Sequence, residues 1–314
     1  MRFAVTIDAA CDLPHDFLLQ HGVTVLPTTV KVDGETFMDD RSPAETRRFI
    51  ERKLGDRSHE AETASCPVEA VERLFLDKLV LHYDCVFCLT ITATRSTIND
   101  NVHRASYRIL MGYREARSAI GAAGPFMMRV IDTRNLFAGA APAVFEATRM
   151  IAGDHAPAAI RARLAYVADN SYGYMLPRDL YYLRARAKKK NDRSVGWLGA
   201  TLGSALDVKP LLRCYRGDTG AVGKVRGFES GAKTLLAYAA RQVREGLLVP
   251  AVCVSYGGDL STLGRLPGYS ELCDACAATG VTLLEAPMSI TGMINVGEGA
   301  LSVGFATRPH AAEF

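Results

Sequence analysis

The sequence lacks long apolar runs, although it is 314 residues long and 48% hydrophobic. No stretch approaches the ~18 consecutive apolar residues that a transmembrane helix needs, so we expect no stable membrane insertion. The apolar stretch that begins at Phe3 already ends at Asp8, which indicates a buried strand rather than a signal peptide. These features predict a cytoplasmic protein with a sizeable folded core.

The chain also has little net charge. The 37 basic and 34 acidic residues give a formal charge of +3, so no general attraction to nucleic acid is expected. One basic run interrupts this balance and is either a solvated face or a docking surface for an acidic partner. Its residues are Arg184, Arg186, Lys188, Lys189, Lys190 and Arg193.

Motifs of familiar catalytic centres are missing. None of the seven histidines lies in a G-x-S-x-G elbow or an H-E-x-x-H helix, and no Walker-type phosphate loop is present. Gly257 and Gly258 match a dinucleotide loop only weakly, because the G-x-G-x-x-G spacing fails. The sequence therefore predicts no catalytic centre and no P-loop kinase.

The eight cysteines stand singly or within apolar segments, which is typical of reduced thiols. Two C-x-x-C pairs occur, Cys85 with Cys88 and Cys273 with Cys276. The first pair lies on a predicted strand, where residues three apart point to opposite faces. Packed core cysteines are the preferred interpretation, and zinc is the alternative.

The first half alternates apolar runs with amphipathic stretches, which predicts a parallel sheet with helices. The runs are FAVTID, VTVLPTTV, CVFCLTI and FMMRVID. Small or acidic polar residues end these runs, at Asp8, at residues 90–96, and at Asp132 and Thr133. Because ligands bind outside the carboxyl ends of parallel strands, we expect the binding site there.

The pattern changes between residues 153 and 170, and we predict an N-terminal α/β domain over 1–160 and a C-terminal α+β domain over 161–314. In the second half, VKPLLRCYRG and AVGKVRG flank a turn at Arg216, Gly217 and Asp218, which predicts a hairpin. Strands and helices then mix, as in an α+β domain with a mostly antiparallel sheet.

Several segments together resemble the DegV family, in order along nearly the whole chain. The most specific are LGSALDVKPLL and KVRGFESGAKTLL. The others are DAACDLP with GVTVLPTTVKVDGETFMDD, then ASCP, LTITATRST, IDTRNLFAGAAPAVFEA and GMINVGEGALSVGF. The resemblance implies a two-domain protein that binds a long-chain fatty acid, with the carboxylate between the domains and the tail in the second domain.

The same resemblance implies a carrier without catalysis or cofactor, which presents the carboxylate to a separate fatty acid kinase subunit. By matching position, it places the head-group near Ser65, Thr92, Ala93, Ser96 and Asn295. It places partner docking at Arg193 and Arg226. A buried carboxylate needs hydrogen-bond donors, and hydroxyl groups at strand ends provide them.

This sequence departs from the family pattern at four of these places. Ala64 replaces a threonine before Ser65, and Ala93 replaces a serine. Asn295 stands where a histidine is usual, so it donates a hydrogen bond without carrying charge. Glu298 replaces a proline and would oppose a carboxylate if it points inward.

Two other functions stay open from the sequence. An enzyme that acts on a small polar metabolite would use Asp8, Asp132 and Thr92 at the same crevice. A regulatory protein would sense the lipid and contact another chain without phosphoryl transfer.

Overall fold

The computed structural model describes residues 1–56, 58–122, 124–183 and 207–314. Thirteen strands are found in these ranges. They are β1 Phe3–Asp8, β2 Thr24–Leu26, β3 Thr28–Val32, β4 Glu35–Asp39, β5 Ala61–Ala64, β6 Cys85–Thr90, β7 Met127–Asp132, β8 Ser171–Leu176, β9 Val208–Tyr215, β10 Asp218–Arg226, β11 Ala251–Tyr256, β12 Thr282–Pro287 and β13 Leu301–Ala306.

The α-helices of the described ranges are α1 His15–Gln20, α2 Pro43–Glu51, α3 Val68–Leu74, α4 Val80–His82, α5 Ile98–Ala119, α6 Ala141–Ala152, α7 Pro157–Asp169, α8 Phe228–Glu245, α9 Tyr269–Thr279 and α10 Ile290–Val296. A π-helical turn, Phe75–Leu79, joins α3 to α4. Two 3₁₀ segments, Phe137–Ala140 and Leu260–Arg265, precede α6 and α9.

The first lobe is built on a parallel sheet in the order β2-β1-β6-β7, which confirms the predicted α/β arrangement. Strand β6 is buried at all six positions because helices cover both faces of the sheet. Its sequence, CVFCLT, is accordingly a continuous apolar run that ends in one hydroxyl residue.

The second lobe is built on a six-stranded sheet in the order β10-β9-β8-β13-β11-β12. Only β11 and β12 run parallel, so the predicted mostly antiparallel sheet is confirmed. The predicted hairpin joins β9 to β10, and Arg216 and Gly217 at its turn have φ values of 51° and 85°. The basic run with Arg193 lies outside the described residues, and the domain boundary at 160/161, which falls within α7, stays a prediction.

Two features of the fold were not predicted. Pro27 divides VTVLPTTV between two sheets, because β2 joins the parallel sheet whereas β3 pairs with β4 and β5 in a small antiparallel sheet. Strand β8 lies in the interior of the second sheet, but its sequence SYGYML carries a serine and a glycine that weaken the strand pattern.

The middle of the second sheet packs backbone to backbone on the segment that follows β7. The buried Asn135 amide donates to the Ser171 and Cys214 carbonyls at 2.9 and 3.2 Å, which ties this segment to β8 and β9. A Cβ atom added at Gly304 of β13 would lie 1.9 Å from the Ala138 carbonyl oxygen. Only glycine therefore allows this approach.

A buried ion pair of the first lobe is hydrogen-bonded to the second lobe at the β11–β12 side of the six-stranded sheet. Arg41, which follows β4, donates to Asp12 Oδ1 at 3.2 Å and to the Pro287 carbonyl at 2.7 Å. Asp12 also accepts hydrogen bonds from the Ser255 hydroxyl and the Ser289 amide. The Arg41 and Asp12 side chains are only 2% and 0% exposed. We call this cluster the Arg41 clasp.

Arg41→Met is expected to lower the free energy of unfolding by about 3–5 kcal/mol, because it leaves the Asp12 carboxylate buried without its partner. The control is Arg244→Met, which removes an ion pair with Glu271 whose side chains are 49% and 45% exposed, and which should cost less than about 1 kcal/mol. Urea denaturation measures both. The double variant Asp12→Asn/Arg41→Met should be more stable than Arg41→Met alone, and equal losses for the two arginine variants would contradict the clasp.

Gly304→Ala should destabilise the protein by about 3 kcal/mol or more, since the added methyl group meets backbone atoms that have no room to move. Gly220→Ala on β10 is the matched control, because a Cβ atom there meets nothing within 4 Å. Thermal unfolding of both variants checks this prediction, and a Gly304→Ala midpoint equal to that of the control would refute it.

Candidate functional site

The carboxyl ends of β1, β6 and β7 meet at one edge of the parallel sheet, and the second lobe approaches this edge. Residues 91–97, which follow β6, form a loop there that we call the head-group loop. It carries three of the five predicted head-group residues, and the fourth, Ser65, follows β5. The crevice between the lobes is the place where ligands are expected in such sheets.

The two acidic strand ends hold this loop in place. Asp8 accepts the Ala10 amide at 3.0 Å and the Ile91 amide at 2.6 Å. Asp132 accepts the Ala93 amide at 3.2 Å and the Arg134 amide at 2.7 Å. Burial raises the pKa of Asp8 from 3.8 to about 6, opposed by the two amide hydrogen bonds. The structure thus gives both carboxylates a role in fixing backbone.

Ser65, Ser96 and Thr97 bring three hydroxyl groups together, and we call them the hydroxyl triad. Ser65 Oγ lies 2.9 Å from Ser96 Oγ, and Thr97 Oγ1 donates to Ser65 Oγ at 3.3 Å. The Ile98 amide donates to Ser96 Oγ at 3.2 Å at the start of α5. The structure therefore joins two predicted residues that are 31 positions apart. Thr97 was not predicted, although its place beside Ser96 was a usable signal.

The triad retains one hydroxyl proton. Each hydroxyl group has a single proton, and two contacts within the triad use two of the three. Thr97 directs its proton to Ser65, so the remaining proton belongs to Ser65 or Ser96. The triad can thus donate to an anion without losing its own hydrogen bonds.

Thr92 and Ala93 have different surroundings. Thr92 is only 1% exposed, and its Oγ1 lies 3.1 Å from Thr94 Oγ1, which donates to the Gly217 carbonyl at 2.6 Å. Ala93 contributes no side-chain donor, and its amide is bound to Asp132. Thr92 therefore contacts the tip of the β9–β10 hairpin.

Asn295 lies on α10, which packs against β3 and β5, the strand that precedes Ser65. Its Nδ2 donates to the Thr291 carbonyl at 2.7 Å. Thr291 in turn donates its amide and hydroxyl to the buried Asp39 carboxylate, which fixes the first turn of α10. The position of Asn295 thus depends on the first lobe.

Glu298 follows α10 and is half-buried, and its Oε2 lies close to Gly55 of the first lobe. Burial raises the pKa of the Glu298 carboxyl, the nearby Asp56 raises it further, and Lys53 opposes both. Burial at this position therefore disfavours the charged form of the Glu298 side chain.

The predicted docking residue Arg226 is not brought to the hydroxyl triad. Arg226 is exposed at the end of β10, whereas the hairpin tip that touches Thr94 lies at the start of this nine-residue strand. At ~3.3 Å per residue, the two ends are separated by roughly 27 Å. Arg193 lies outside the described residues.

One apolar cluster contains buried side chains from both lobes. The first lobe contributes Leu26, Val30, Phe37 and Phe49, and the second lobe contributes Met175, Leu212, Met288 and Met293. Methionine is common where an apolar surface must fit variable shapes, because its side chain is unbranched and flexible.

All eight cysteines lie within the described residues and are free thiols, and seven of them are buried. Across the described ranges, no three His, Cys, Asp or Glu side chains are grouped as a metal site would require. Among the helices that the structure describes, none has the length and hydrophobicity for crossing a bilayer.

A parallel-sheet lobe and a mostly antiparallel lobe, which meet at the strand ends of the parallel sheet, define the class of the protein as a two-lobed α/β fold. The family model described as "Uncharacterised protein, DegV family" matches residues 2–308. The chain belongs to the DegV family.

A DegV domain-containing protein of Xanthomonas axonopodis pv. citri is 51% identical over 311 residues, which is 99% of each chain. Among solved structures, a DegV lipid-binding protein of Thermotoga maritima is 18% identical with a TM-score of 0.75, covering 98% of each chain. A stearic acid-binding protein of Eubacterium ventriosum is 21% identical with a TM-score of 0.76, covering 97% of this chain and 98% of that one. At these identities the two structures show the same fold.

The raised pKa of Asp8 predicts a pH dependence of stability. Because the folded pKa of about 6 exceeds the ordinary value of 3.8, proton binding stabilises the folded state below pH 3.8, and this contribution is lost as the pH rises through 6. Relative to Asp8→Asn, which cannot titrate there, the unmodified protein should gain about 1 kcal/mol between pH 7 and pH 5. Urea denaturation of both proteins at pH 5, 6 and 7 measures this gain, and a difference independent of pH would contradict it.

Proposed function

We propose that this protein binds a long-chain fatty acid or a related acyl lipid between its two lobes and carries it without catalysing a reaction. The carboxylate binds at the hydroxyl triad, and the acyl tail lies among the apolar side chains that the two lobes share. The observation that carries this proposal is the contact between the three hydroxyl groups near the carboxyl ends of the parallel strands, which leaves one proton for an external acceptor.

Neutral hydrogen-bond donors are suited to binding a carboxylate in the crevice. A carboxylate loses water when it enters the crevice, and charge-assisted hydrogen bonds from hydroxyl groups compensate for that loss. Ser65, Ser96 and Thr97 can reorient so that more than one of them donates to an anion. Asn295, whose helix packs beside β5, is the further predicted donor on the second lobe.

The tail supplies most of the affinity. Burial contributes about 0.8 kcal/mol per CH₂ group, so a chain of about sixteen carbons contributes on the order of 10 kcal/mol before the costs of binding. The apolar cluster of both lobes provides the matching surface. The likeness in fold to proteins of Thermotoga maritima and Eubacterium ventriosum that bind lipid and stearic acid supports the same ligand class.

A carrier role in the cytoplasm agrees with the fixed roles of the acidic groups. Asp8 and Asp132 bind backbone amides of the head-group loop, so neither is placed as a free general acid or base. A separate kinase subunit is the proposed recipient of the carboxylate, and the exposed Arg226 is available for docking of such an acidic partner. No resident cofactor is proposed.

Native mass spectrometry of the purified protein tests the proposal. We expect a co-purifying mass that corresponds to a fatty acid, and saturable binding of the fluorescent fatty acid cis-parinaric acid to protein freed of lipid. The methyl ester of the same fatty acid should bind more weakly, because it lacks the charge that strengthens hydrogen bonds from the triad. A protein that purifies empty and ignores added acyl lipids would refute the function.

Ser65→Ala/Ser96→Ala should weaken binding of cis-parinaric acid about 10-fold to 100-fold, the effect of losing hydrogen bonds worth about 1.5–3 kcal/mol to a charged group. The tail contacts remain, so binding should persist. Ser118→Ala/Ser230→Ala removes two hydroxyl groups from exposed helix positions and is the control. Fluorescence titration measures all three proteins, and unchanged affinity of the first variant would exclude the triad as the head-group site.

A further inference from the structure

The hydroxyl groups of Thr92 and Thr94 use their protons within the protein. Thr94 Oγ1 donates its proton to the Gly217 carbonyl at 2.6 Å. The contact of 3.1 Å between Thr92 Oγ1 and Thr94 Oγ1 is therefore made with the proton of Thr92, since each hydroxyl group has only one. Thr92 thus differs from the triad, which keeps a proton for an external acceptor.

Gly217 is held by the first lobe from two sides. Besides accepting from Thr94, it donates its amide to the Arg134 carbonyl at 2.8 Å. The φ of 85° at Gly217 turns the hairpin tip against the head-group loop, where an added Cβ atom would lie 3.0 Å from Thr92 Oγ1. The tip of the β9–β10 hairpin therefore covers Thr92 directly.

This contact lies far from the Arg41 clasp. Thr92, Thr94 and Gly217 meet at the β9–β10 edge of the six-stranded sheet, whereas Arg41 contacts β12 at the other edge. Four strand spacings separate β9 from β12, or roughly 19 Å. Thr94 is exposed, so water is close enough to replace its hydrogen bonds when they break, whereas the clasp is buried.

We propose that Thr92, Thr94 and Gly217 form a latch between the lobes, which closes the crevice beside the hydroxyl triad and opens to admit or release the acyl ligand. Thr92 therefore acts as a latch residue, and the triad binds the head-group. Thr94 is a positioning residue that acts through Gly217. This inference rests on the proposed function for its ligand, but the latch itself exists in the protein alone.

The first test needs no ligand. Thr94→Val removes the hydroxyl donor at nearly constant volume, and it should raise the hydrogen-exchange rate of the Gly217 amide about fivefold, measured by NMR. Thr94→Ser keeps the donor and should restore the original rate. Thr234→Val is the control, because the Thr234 hydroxyl donates to the Ser230 carbonyl within α8 and joins no lobes. Unchanged exchange of Gly217 in Thr94→Val would overturn the latch.

The second test measures ligand access by stopped-flow fluorescence with cis-parinaric acid. Thr92→Val and Thr94→Val should each raise the association and dissociation rates by a similar factor of about five, so the dissociation constant changes less than about twofold. A loss of affinity in Thr92→Val like that of Ser65→Ala/Ser96→Ala would make Thr92 a ligand residue and overturn the proposal. If the unmodified protein takes up no acyl lipid, the proposed function is wrong. The hydrogen-exchange rate of the Gly217 amide still tests the latch in that case.

Discussion

The burial of Arg41 against Asp12 is the interaction on which the arrangement of the two lobes depends. A charged pair this deeply buried is costly unless its other hydrogen-bonding groups also find partners. Pro287, Ser255 and Ser289 of the second lobe provide most of them, although Arg41 Nε has no partner among the described residues. Ser289 also caps α10 through the Gly292 amide, so the same cluster that aligns the lobes begins the helix that carries Asn295. The site and the lobe arrangement therefore have a common origin.

Charged and neutral side chains have different roles at the candidate site. Its acidic side chains accept hydrogen bonds from backbone amides at the strand ends. Asp8 has this structural role, and its burial raises its pKa. The hydroxyl triad, in contrast, is neutral and only partly buried. If an anionic ligand binds there as proposed, its donors carry no counter-charge, so its affinity depends mainly on how much of its apolar part is buried.

Local pattern was sufficient to predict the strands of the parallel sheet and the β9–β10 hairpin, because each is encoded within a few consecutive residues. Local pattern failed where tertiary contacts determine the structure. Gly173 makes SYGYML a poor strand by sequence, yet the space beside it is taken by Asn135, which only glycine allows. The division of VTVLPTTV at Pro27 likewise depends on which neighbour each half finds, and that information is not local.

The site was predicted only in part for the same reason. Ser65 and Ser96 were identified through family resemblance, and the structure brings them together, but the resemblance assigned Thr92 the same task. The hydrogen bonds of Thr92 differ from those of Ser65 and Ser96, and that difference depends on Thr94 and Gly217, which lie on different lobes. The head-group role of Thr92 stays a prediction. The Arg41 clasp had no sequence signal, because its members are spread from Asp12 to Ser289.

Contacts between the lobes become weaker across the second sheet. At β11 and β12 the lobes meet at the buried clasp, and at β8 and β13 glycine backbones pack closely on residues 135–139. At β9 the buried Asn135 amide donates to the Cys214 carbonyl, and the two hydrogen bonds of Gly217 lie at the tip of the hairpin. Of these contacts, those at the hairpin tip cost least to break, because water replaces the lost partners there. In the proposed opening at the β9–β10 edge, the clasp would keep the lobes aligned, so the hydroxyl triad would return to the same geometry after each opening.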